Sequence, residues 1–195
     1  DDIDGISCAA LFLIRYPNAQ IRFLSVYEAE NTEEIFDFTA DLPKTKRTRI
    51  NIDHHYSNLE KLRKSGRLSN EDLIDPGSPS AARLVMRYLG LDGNKIAEEI
   101  VDMADKADTG NFDDKLLLLD KLIKFNIRNE ENLLKLANIL ARYGKNFDKA
   151  EWFRNEITRI KEILKKYEEL IKDVIKSLVK RKLKYVIFDV TNMPF

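Results

Sequence analysis

The two histidines of the chain, His54 and His55, stand side by side after Asp53 and close a β-like run at positions 49–52. Histidine and aspartate are usual protein ligands of Mn²⁺, Zn²⁺ and Fe²⁺. The carboxyl end of a strand is also where open α/β sheets place their chemistry. The same three residues could form an ordinary surface turn, so the other acidic residues of the chain must decide between a metal site and a turn.

Three further aspartate clusters lie where one predicted element gives way to the next. The chain opens with Asp2-Ile3-Asp4-Gly5 at the start of a predicted helix, where glycine permits a tight turn and close backbone approach. Asp41 ends a second apolar run, and Pro43 marks the break. Asp108 lies at the exit of a later helix. Four aspartate sites and one histidine pair, without a catalytic cysteine or lysine motif, predict a carboxylate-rich metal cage.

The order of these segments resembles that of the DHH phosphoesterase superfamily, which includes RecJ-type exonucleases, oligoribonucleases and manganese inorganic pyrophosphatases. The matching segments, in chain order, are Asp2–Gly5, Asp41, Asp53–His55 and Asp108–Phe112. A lesser match is the serine-containing helix start at 77–82. Each segment is short, but four of them in the right order make the resemblance specific. It covers about residues 1–112.

The sequence departs from the family pattern at both ends. The family's first motif normally follows a strand and a histidine just upstream of the first aspartate, and this sequence begins inside that motif. Family enzymes usually carry a second, substrate-binding domain, whereas this sequence stops at Phe195, just after a strand-like run at 185–190. We therefore expect the sequence to be an incomplete view of a longer protein.

The alternation of β and α patterns predicts an α/β fold with a mostly parallel sheet flanked by helices, followed by a helical segment and a long connector helix. Strands are predicted at 21–26, before Asp41, before Asp53 and near 73–74. Helices are predicted at 6–16, near 32–35, to Ser65 from an N-cap at Ser57, through Leu89 from an N-cap at Ser78 or Ser80, and from about Asn94. Two further helices are predicted after Asp113, with a break at Gly144. The predicted divisions are a DHH catalytic domain at 1–112 without its first strand, a helical extension at 113–146, the connector at 147–182, and the start of a C-terminal substrate-binding domain at 183–195.

The connector is predicted from apolar residues that recur every three or four positions from about Phe147 to Lys180. Such a helix could form a coiled-coil dimer or pack on its own domain. We favour packing on its own domain, since DHH exonucleases resemble this in using a long helix to link two domains.

Composition is typical of a globular enzyme domain without a global basic field. Lys plus Arg and Asp plus Glu number 33 each, so any contact with nucleic acid must come from local patches. The single Cys8 suits a reducing cytoplasm. No apolar run is long enough to span a bilayer, so no membrane partner is expected. A single glutamine beside abundant Lys and Glu is a composition often found in thermophiles.

Carried over motif by motif, the resemblance implies two metal ions, Mn²⁺ in preference to Mg²⁺. The implied metal ligands are Asp2 for the first ion, Asp41 bridging both, and Asp4, His54 and Asp108 for the second. His55 would contact the substrate phosphate as a catalytic group, and Asp53 would orient a neighbouring group. Asp105 lies on the same helix face as Asp108, and either a site role or a solvent-exposed position is open for it.

Three functions are compatible with this reading. The leading one is a Mn²⁺-dependent phosphodiesterase that hydrolyses single-stranded DNA or RNA or short oligonucleotides by a two-metal mechanism. The second is a pyrophosphatase or a cyclic-dinucleotide phosphodiesterase, although the pyrophosphatase motif lacks a glycine at the place of Gly5. The third is a catalytically silent DHH module that serves as a scaffold for replication or repair proteins. In each case a cytoplasmic protein is expected.

Overall fold

The computed structural model describes residues 2–180, with side chains for 2–176. In chain order the elements are α1 (Ile3–Arg15), α2 (Val26–Asn31), β1 (Phe36–Ala40), β2 (Thr48–Asp53), α3 (Tyr56–Ser65), β3 (Leu73–Ile74), α4 (Ala81–Tyr88), α5 (Lys95–Asp108), α6 (Asp114–Phe125), α7 (Glu130–Tyr143), a 3₁₀ helix (Gly144–Lys149) and α8 (Glu151–Lys180). The predicted α/β class is confirmed, with a small parallel sheet flanked by helices and a long final helix.

The sheet has three parallel strands in the order β1-β2-β3. Phe38 of β1 lies opposite Ile50, and Ile52 lies between Ala40 of β1 and Leu73 of β3. Because the strands are parallel, their carboxyl ends meet at one edge of the sheet. That edge therefore carries the residues that follow β1 and β2, as the sequence predicts.

Helix α1 lies at the centre of the fold and packs against α4, α5 and α7. It is buried on nearly all sides, which is why its sequence from Ile6 to Leu13 is almost continuously apolar. It begins at Ile3, three residues earlier than predicted, because the Asp2 carboxylate accepts the Gly5 N–H at 3.0 Å and caps the first turn. This cap brings Asp4 into the helix and into the core.

The predicted strand at 21–26 is wrong. Residues 17–25 form a turn and an extended stretch that pairs with no strand in the part of the chain the structure describes. A groove of about 1010 Å³ separates this stretch from β1, and its wall includes Phe12, Phe23 and Phe38. An extended segment needs a neighbouring backbone to become a strand, and here the nearest strand lies across the groove.

The helix predicted near 32–35 is also wrong, because a helix forms earlier. Ser25 and Glu28 make a capping box in which each side chain bonds the backbone N–H of the other. The box starts α2 at Val26, and the helix ends at Asn31 before β1 begins.

Two serine caps have different outcomes. Ser57 is not a cap, because α3 begins at Tyr56 and its N-cap position is His55, whose side chain makes no capping bond. Ser80 is the cap of α4, and its hydroxyl accepts the Arg83 N–H at 3.2 Å. The sequence left Ser78 and Ser80 open as the N-cap of this helix, and the structure shows that it is Ser80.

The helical part of the chain follows its predicted pattern, with α6, α7 and a break at Gly144. Helix α8 begins at Glu151 rather than near Phe147, because Phe147 is fully buried in the 3₁₀ turn that precedes it. The first half of α8 packs into the common core through Phe153, Ile157 and Ile160. In this half the helix packs on its own domain, which is the alternative that we favoured over a coiled-coil dimer. The predicted start of a further domain at 183–195 lies outside the described residues.

No helix within residues 2–180 combines the length and apolarity needed to cross a membrane.

Candidate metal centre

Asp4 is a carboxylate buried under the first turn of α4. Its two oxygens accept the backbone N–H groups of Ala81 at 2.7 Å and Ala82 at 2.8 Å, and its side chain is 1% exposed. Burial, followed by the charge of Asp108, raises the pKa of Asp4 to about 7, while the two amides oppose this rise. The helix N-terminus thus holds an acid that lacks a full counter-charge in the protein.

Asp41 adopts a left-handed backbone conformation at the end of β1. With φ of 58°, it is the one non-glycine residue with positive φ in the described part of the chain. Its N–H donates to the Ile52 carbonyl at 3.0 Å, and the Asn51 amide donates to the Leu42 carbonyl at 3.0 Å and to the Thr39 hydroxyl at 3.0 Å. Burial and the neighbouring aspartates raise the pKa of Asp41 well above its usual range.

Asn51 is therefore a site residue that the sequence reasoning missed. It is completely buried in the middle of β2, and its side chain fastens the chain on both sides of Asp41. The signal was present in the sequence, because a polar residue stood between two isoleucines of a predicted buried strand. Buried polar side chains are retained when they have specific partners.

His54 turns its ring toward the acids. Its Nδ1 lies 3.2 Å from the Ser78 carbonyl, which makes Nδ1–H the donor and points Nε2 inward. Nε2 lies 3.1 Å from Asp108 Oδ2, 3.7 Å from Asp4 Oδ2 and 3.9 Å from Asp41 Oδ1. The contact with Asp108 is the main cause that raises the pKa of His54 to about 9. Nε2 is nonetheless buried without a well-directed hydrogen bond.

Asp53 organises the loop that carries both histidines. Its Oδ1 accepts the backbone N–H of His54 at 2.8 Å and of His55 at 3.1 Å, and lies 2.8 Å from His55 Nδ1. Its Oδ2 accepts the Asn58 side-chain amide at 2.5 Å. The carboxylate is completely buried and fully engaged, so it orients its neighbours rather than facing the cluster.

His55 is the more accessible histidine, with 49% of its side chain exposed. The hydrogen bond with Asp53 is the main cause that raises the pKa of His55. Its Nδ1 also lies 3.7 Å from Asp41 Oδ1, but the closer contact with Asp53 occupies that atom. About half of the His55 side chain therefore remains accessible to solvent.

Gly5 lies between the carboxylates of Asp2 and Asp41. A Cβ at this position would lie 3.5 Å from Asp41 Oδ2 and 3.7 Å from Asp2 Oδ1. A side chain here would therefore enter the space between Asp2 and Asp41. The absence of a side chain at Gly5 keeps that space open.

The donor atoms fit a divalent cation. Asp4, His54 and Asp108 form one group, and Asp41, His54 and His55 form another, with the ligand atoms of each group within 4.8 Å of one another. A buried imidazole nitrogen without a well-directed hydrogen bond, faced by three carboxylates, has the chemistry of a metal ligand whose other nitrogen is fixed by a carbonyl. Mixed carboxylate and imidazole donors suit Mn²⁺ better than Mg²⁺.

The structure thus brings together four of the five predicted ligands, Asp4, Asp41, His54 and Asp108. Asp2 caps α1 beside this cluster and belongs to neither group. His55, predicted to contact substrate, shares a group with Asp41. The individual metal roles remain predictions.

Comparison with known proteins supports the fold. No protein-family profile matches the sequence, and no curated protein matches it. Among solved structures, the chain is similar to the pGpG-specific phosphodiesterase PggH from Vibrio cholerae, with a TM-score of 0.61 and 22% sequence identity. The similarity covers 90% of this chain and 61% of the other, so the chain spans about three fifths of the length of that protein. At this identity, the likeness shows a shared fold.

Proposed function

We propose that the protein hydrolyses phosphodiester bonds in short oligonucleotides, with two Mn²⁺ ions held at the carboxyl edge of its sheet. The observation that carries this proposal is the position of His54 Nε2, buried without a well-directed hydrogen bond among Asp4, Asp41 and Asp108. Such a cluster binds hard or borderline cations, and phosphodiester hydrolysis needs cations to offset the negative charge of its substrate.

In this proposal Asp4, His54 and Asp108 would hold one ion, Asp2 would contribute to the other, and Asp41 would be shared by both. Bound Mn²⁺ would supply positive charge to the phosphate oxygens and lower the pKa of a water molecule. The protein's own task is to hold the acids at fixed positions in the absence of the ions. The amides of Ala81 and Ala82 do this for Asp4.

His55 is assigned to the substrate rather than to a metal. Its Nδ1 is the atom that approaches Asp41, and that atom is already bonded to Asp53 at 2.8 Å. Because Asp53 raises the pKa of His55, the ring carries a proton at neutral pH more readily than a free histidine. We therefore assign its exposed edge to donate a hydrogen bond to a nonbridging phosphate oxygen, where negative charge must be stabilised.

A linear dinucleotide with a 5′ phosphate is a second, narrower candidate substrate. The observation that favours it is the name of the similar structure, which is a pGpG-specific phosphodiesterase. Substrate length distinguishes the two candidate functions, because an enzyme specific for dinucleotides would hydrolyse pGpG far faster than a longer single strand. A catalytically silent scaffold would leave all of these substrates intact.

The test is to incubate the full-length protein with each of five substrates and to measure hydrolysis. The substrates are pGpG, a short RNA, a longer single-stranded DNA, a cyclic dinucleotide and pyrophosphate. We expect Mn²⁺-dependent cleavage of the short linear substrates, and loss of that cleavage in Asp41→Asn. A preference for pyrophosphate or for the cyclic dinucleotide would replace the proposed substrate class. No cleavage of any substrate with Mn²⁺, Mg²⁺ or Zn²⁺ would favour the scaffold.

A further inference from the structure

Asp105 connects two helices beside the metal centre. It lies on α5, one turn before Asp108, and its Oδ1 accepts the Ser80 hydroxyl at 2.6 Å. Its Oδ2 accepts Arg83 Nε at 2.9 Å and also the Arg83 Nη2 group. Ser80 is the cap of α4 and Arg83 lies in its first turn. Both oxygens of one carboxylate on α5 are therefore bound to the first turn of α4.

The first turn of α4 supports two of the proposed ligands. Its amides at Ala81 and Ala82 hold Asp4. Just before it, the Ser78 carbonyl accepts from His54 Nδ1, and the Ser78 hydroxyl donates to the Ser80 carbonyl at 2.9 Å. The segment from Ser78 to Arg83 thus fixes the positions of both Asp4 and His54.

We infer that Asp105 is a positioning residue for the metal centre, an inference that rests on the proposed function. Asp105 ties the segment that orients Asp4 and His54 to the helix that ends in Asp108. The three donors of one metal-binding group are then held on a single rigid unit. Without this tie, α4 and α5 keep their packing, but the spacing between the amides that hold Asp4 and the carboxylate of Asp108 is no longer fixed.

Asp105 is not itself a metal ligand in this arrangement. Its charge is already offset by the Arg83 guanidinium, whereas the oxygens of Asp4 accept from neutral backbone amides, and Asp105 belongs to neither of the metal-competent groups found among the described residues. It is also not an ordinary solvent carboxylate, since its side chain is 15% exposed. Arg83 donates to Oδ2 through both Nε and Nη2, and Ser80 donates to Oδ1, so three donors from α4 fix the orientation of the Asp105 carboxylate.

Asp102 provides a matched control on the same helix. It pairs with Lys106 one turn later at 2.6 Å, and both residues are on α5. Asp102→Asn and Asp105→Asn each remove one negative charge and one ion pair from the same helix. Only the second substitution breaks a connection to α4. Asp102→Asn controls for the removal of an exposed charge from α5, and Ser80→Ala, which removes one arm of the contact but no charge, separates the positioning effect from the loss of charge.

The experiment measures Mn²⁺ binding to the full-length protein by isothermal titration calorimetry, together with the rate of hydrolysis at increasing Mn²⁺. We expect Asp105→Asn to weaken Mn²⁺ binding on the order of tenfold, as substitutions of residues that orient metal ligands do. Saturating Mn²⁺ should restore most of its maximal rate. Asp102→Asn should bind Mn²⁺ as the wild type does, and Asp105→Glu should recover part of the affinity.

Ser80→Ala covers the case in which Asp105→Asn fails to fold. It removes one arm of the contact and should weaken Mn²⁺ binding in the same direction but by less. Wild-type affinity in either folded variant, or equal losses in Asp102→Asn and Asp105→Asn, would overturn the inference. If the wild type binds Mn²⁺ but hydrolyses nothing, the proposed function fails while the binding comparison still decides the role of Asp105. If the wild type binds no divalent cation, both fail.

Discussion

His54 Nε2 lies 3.1 Å from Asp108 Oδ2, although His54 follows β2 and Asp108 is the last residue of α5. The contact joins the sheet edge to the helical layer at the point where Asp4 and Asp41 also converge. With its pKa raised to about 9, His54 carries the positive charge that offsets these acids in the metal-free protein. A divalent cation would take over that role and displace the proton.

Asp41 offers the first test of the cluster. Asp41→Asn removes the carboxylate charge but keeps a residue that tolerates the left-handed conformation at φ of 58°. We expect Mn²⁺-stimulated hydrolysis to be lost without loss of fold, because the shared ligand of the two ions is gone. Asp41→Ala should be equally inactive. It should be about 1 kcal/mol less stable than Asp41→Asn, since alanine adopts the left-handed conformation less readily than asparagine. Activity assays and thermal unfolding measure the two effects. Full Mn²⁺-stimulated activity in either variant would contradict the assignment.

The two histidines should respond differently to metal. His54→Ala removes a proposed ligand, so its Mn²⁺ requirement should rise and added Mn²⁺ should recover part of the rate. His55→Ala removes a hydrogen-bond donor to the phosphate, so its maximal rate should fall at saturating Mn²⁺. Rates measured over a Mn²⁺ titration separate these outcomes. Two indistinguishable titration curves would argue against separate roles.

The sequence predicted which residues lie together at the sheet edge better than it predicted the local path of the chain. Asp53 and the two histidines were found because their types and their place after an apolar run point to a strand end. The strand at 21–26 failed because its apolar pattern is local, whereas strand pairing depends on a neighbour that the pattern does not contain. Asn51 could be recognised as a polar residue in a buried strand, but its partners, like those of Asp105, come from other segments, so the role of neither residue follows from spacing along the chain.

The acid cluster should make the metal-free protein less stable as pH rises. The pKa of Asp4 is raised from 3.8 to about 7 and that of His54 from 6.5 to about 9, so the folded protein holds protons that the unfolded chain has lost. The free energy of unfolding then falls with rising pH. The stabilisation that Asp4 contributes is fully present below pH 3.8 and is lost as the pH rises through about 7. The stabilisation that His54 contributes is fully present below pH 6.5 and is lost as the pH rises through about 9.

Urea unfolding in the presence of EDTA at a series of pH values measures how the free energy of unfolding changes with pH. Asp4→Asn is the control, because it removes the titration of Asp4 and should flatten the acidic part of the curve. A metal-free stability that rises with pH across the same range would show that the cluster is not under repulsion.

Asp53 should control the charge of His55. Because the hydrogen bond with Asp53 is the main cause of the raised pKa of His55, Asp53→Asn should return that pKa toward its ordinary value. NMR titration of the two histidine rings measures the change directly. Asn58→Ala is a milder comparison, since it removes the amide that fixes the other oxygen of Asp53 but leaves the charge in place. An unchanged pKa of His55 in Asp53→Asn would remove the basis for its assigned role.

The central claim is that Asp4, Asp41, His54 and Asp108 form a centre for two Mn²⁺ ions. Anomalous X-ray diffraction from crystals of the full-length protein grown with Mn²⁺ tests it most directly. We predict two manganese peaks at the carboxyl edge of the sheet, one of them bound to His54 Nε2 and both in contact with Asp41. Crystals with no manganese at this edge, or with manganese only at other sites, would contradict the claim.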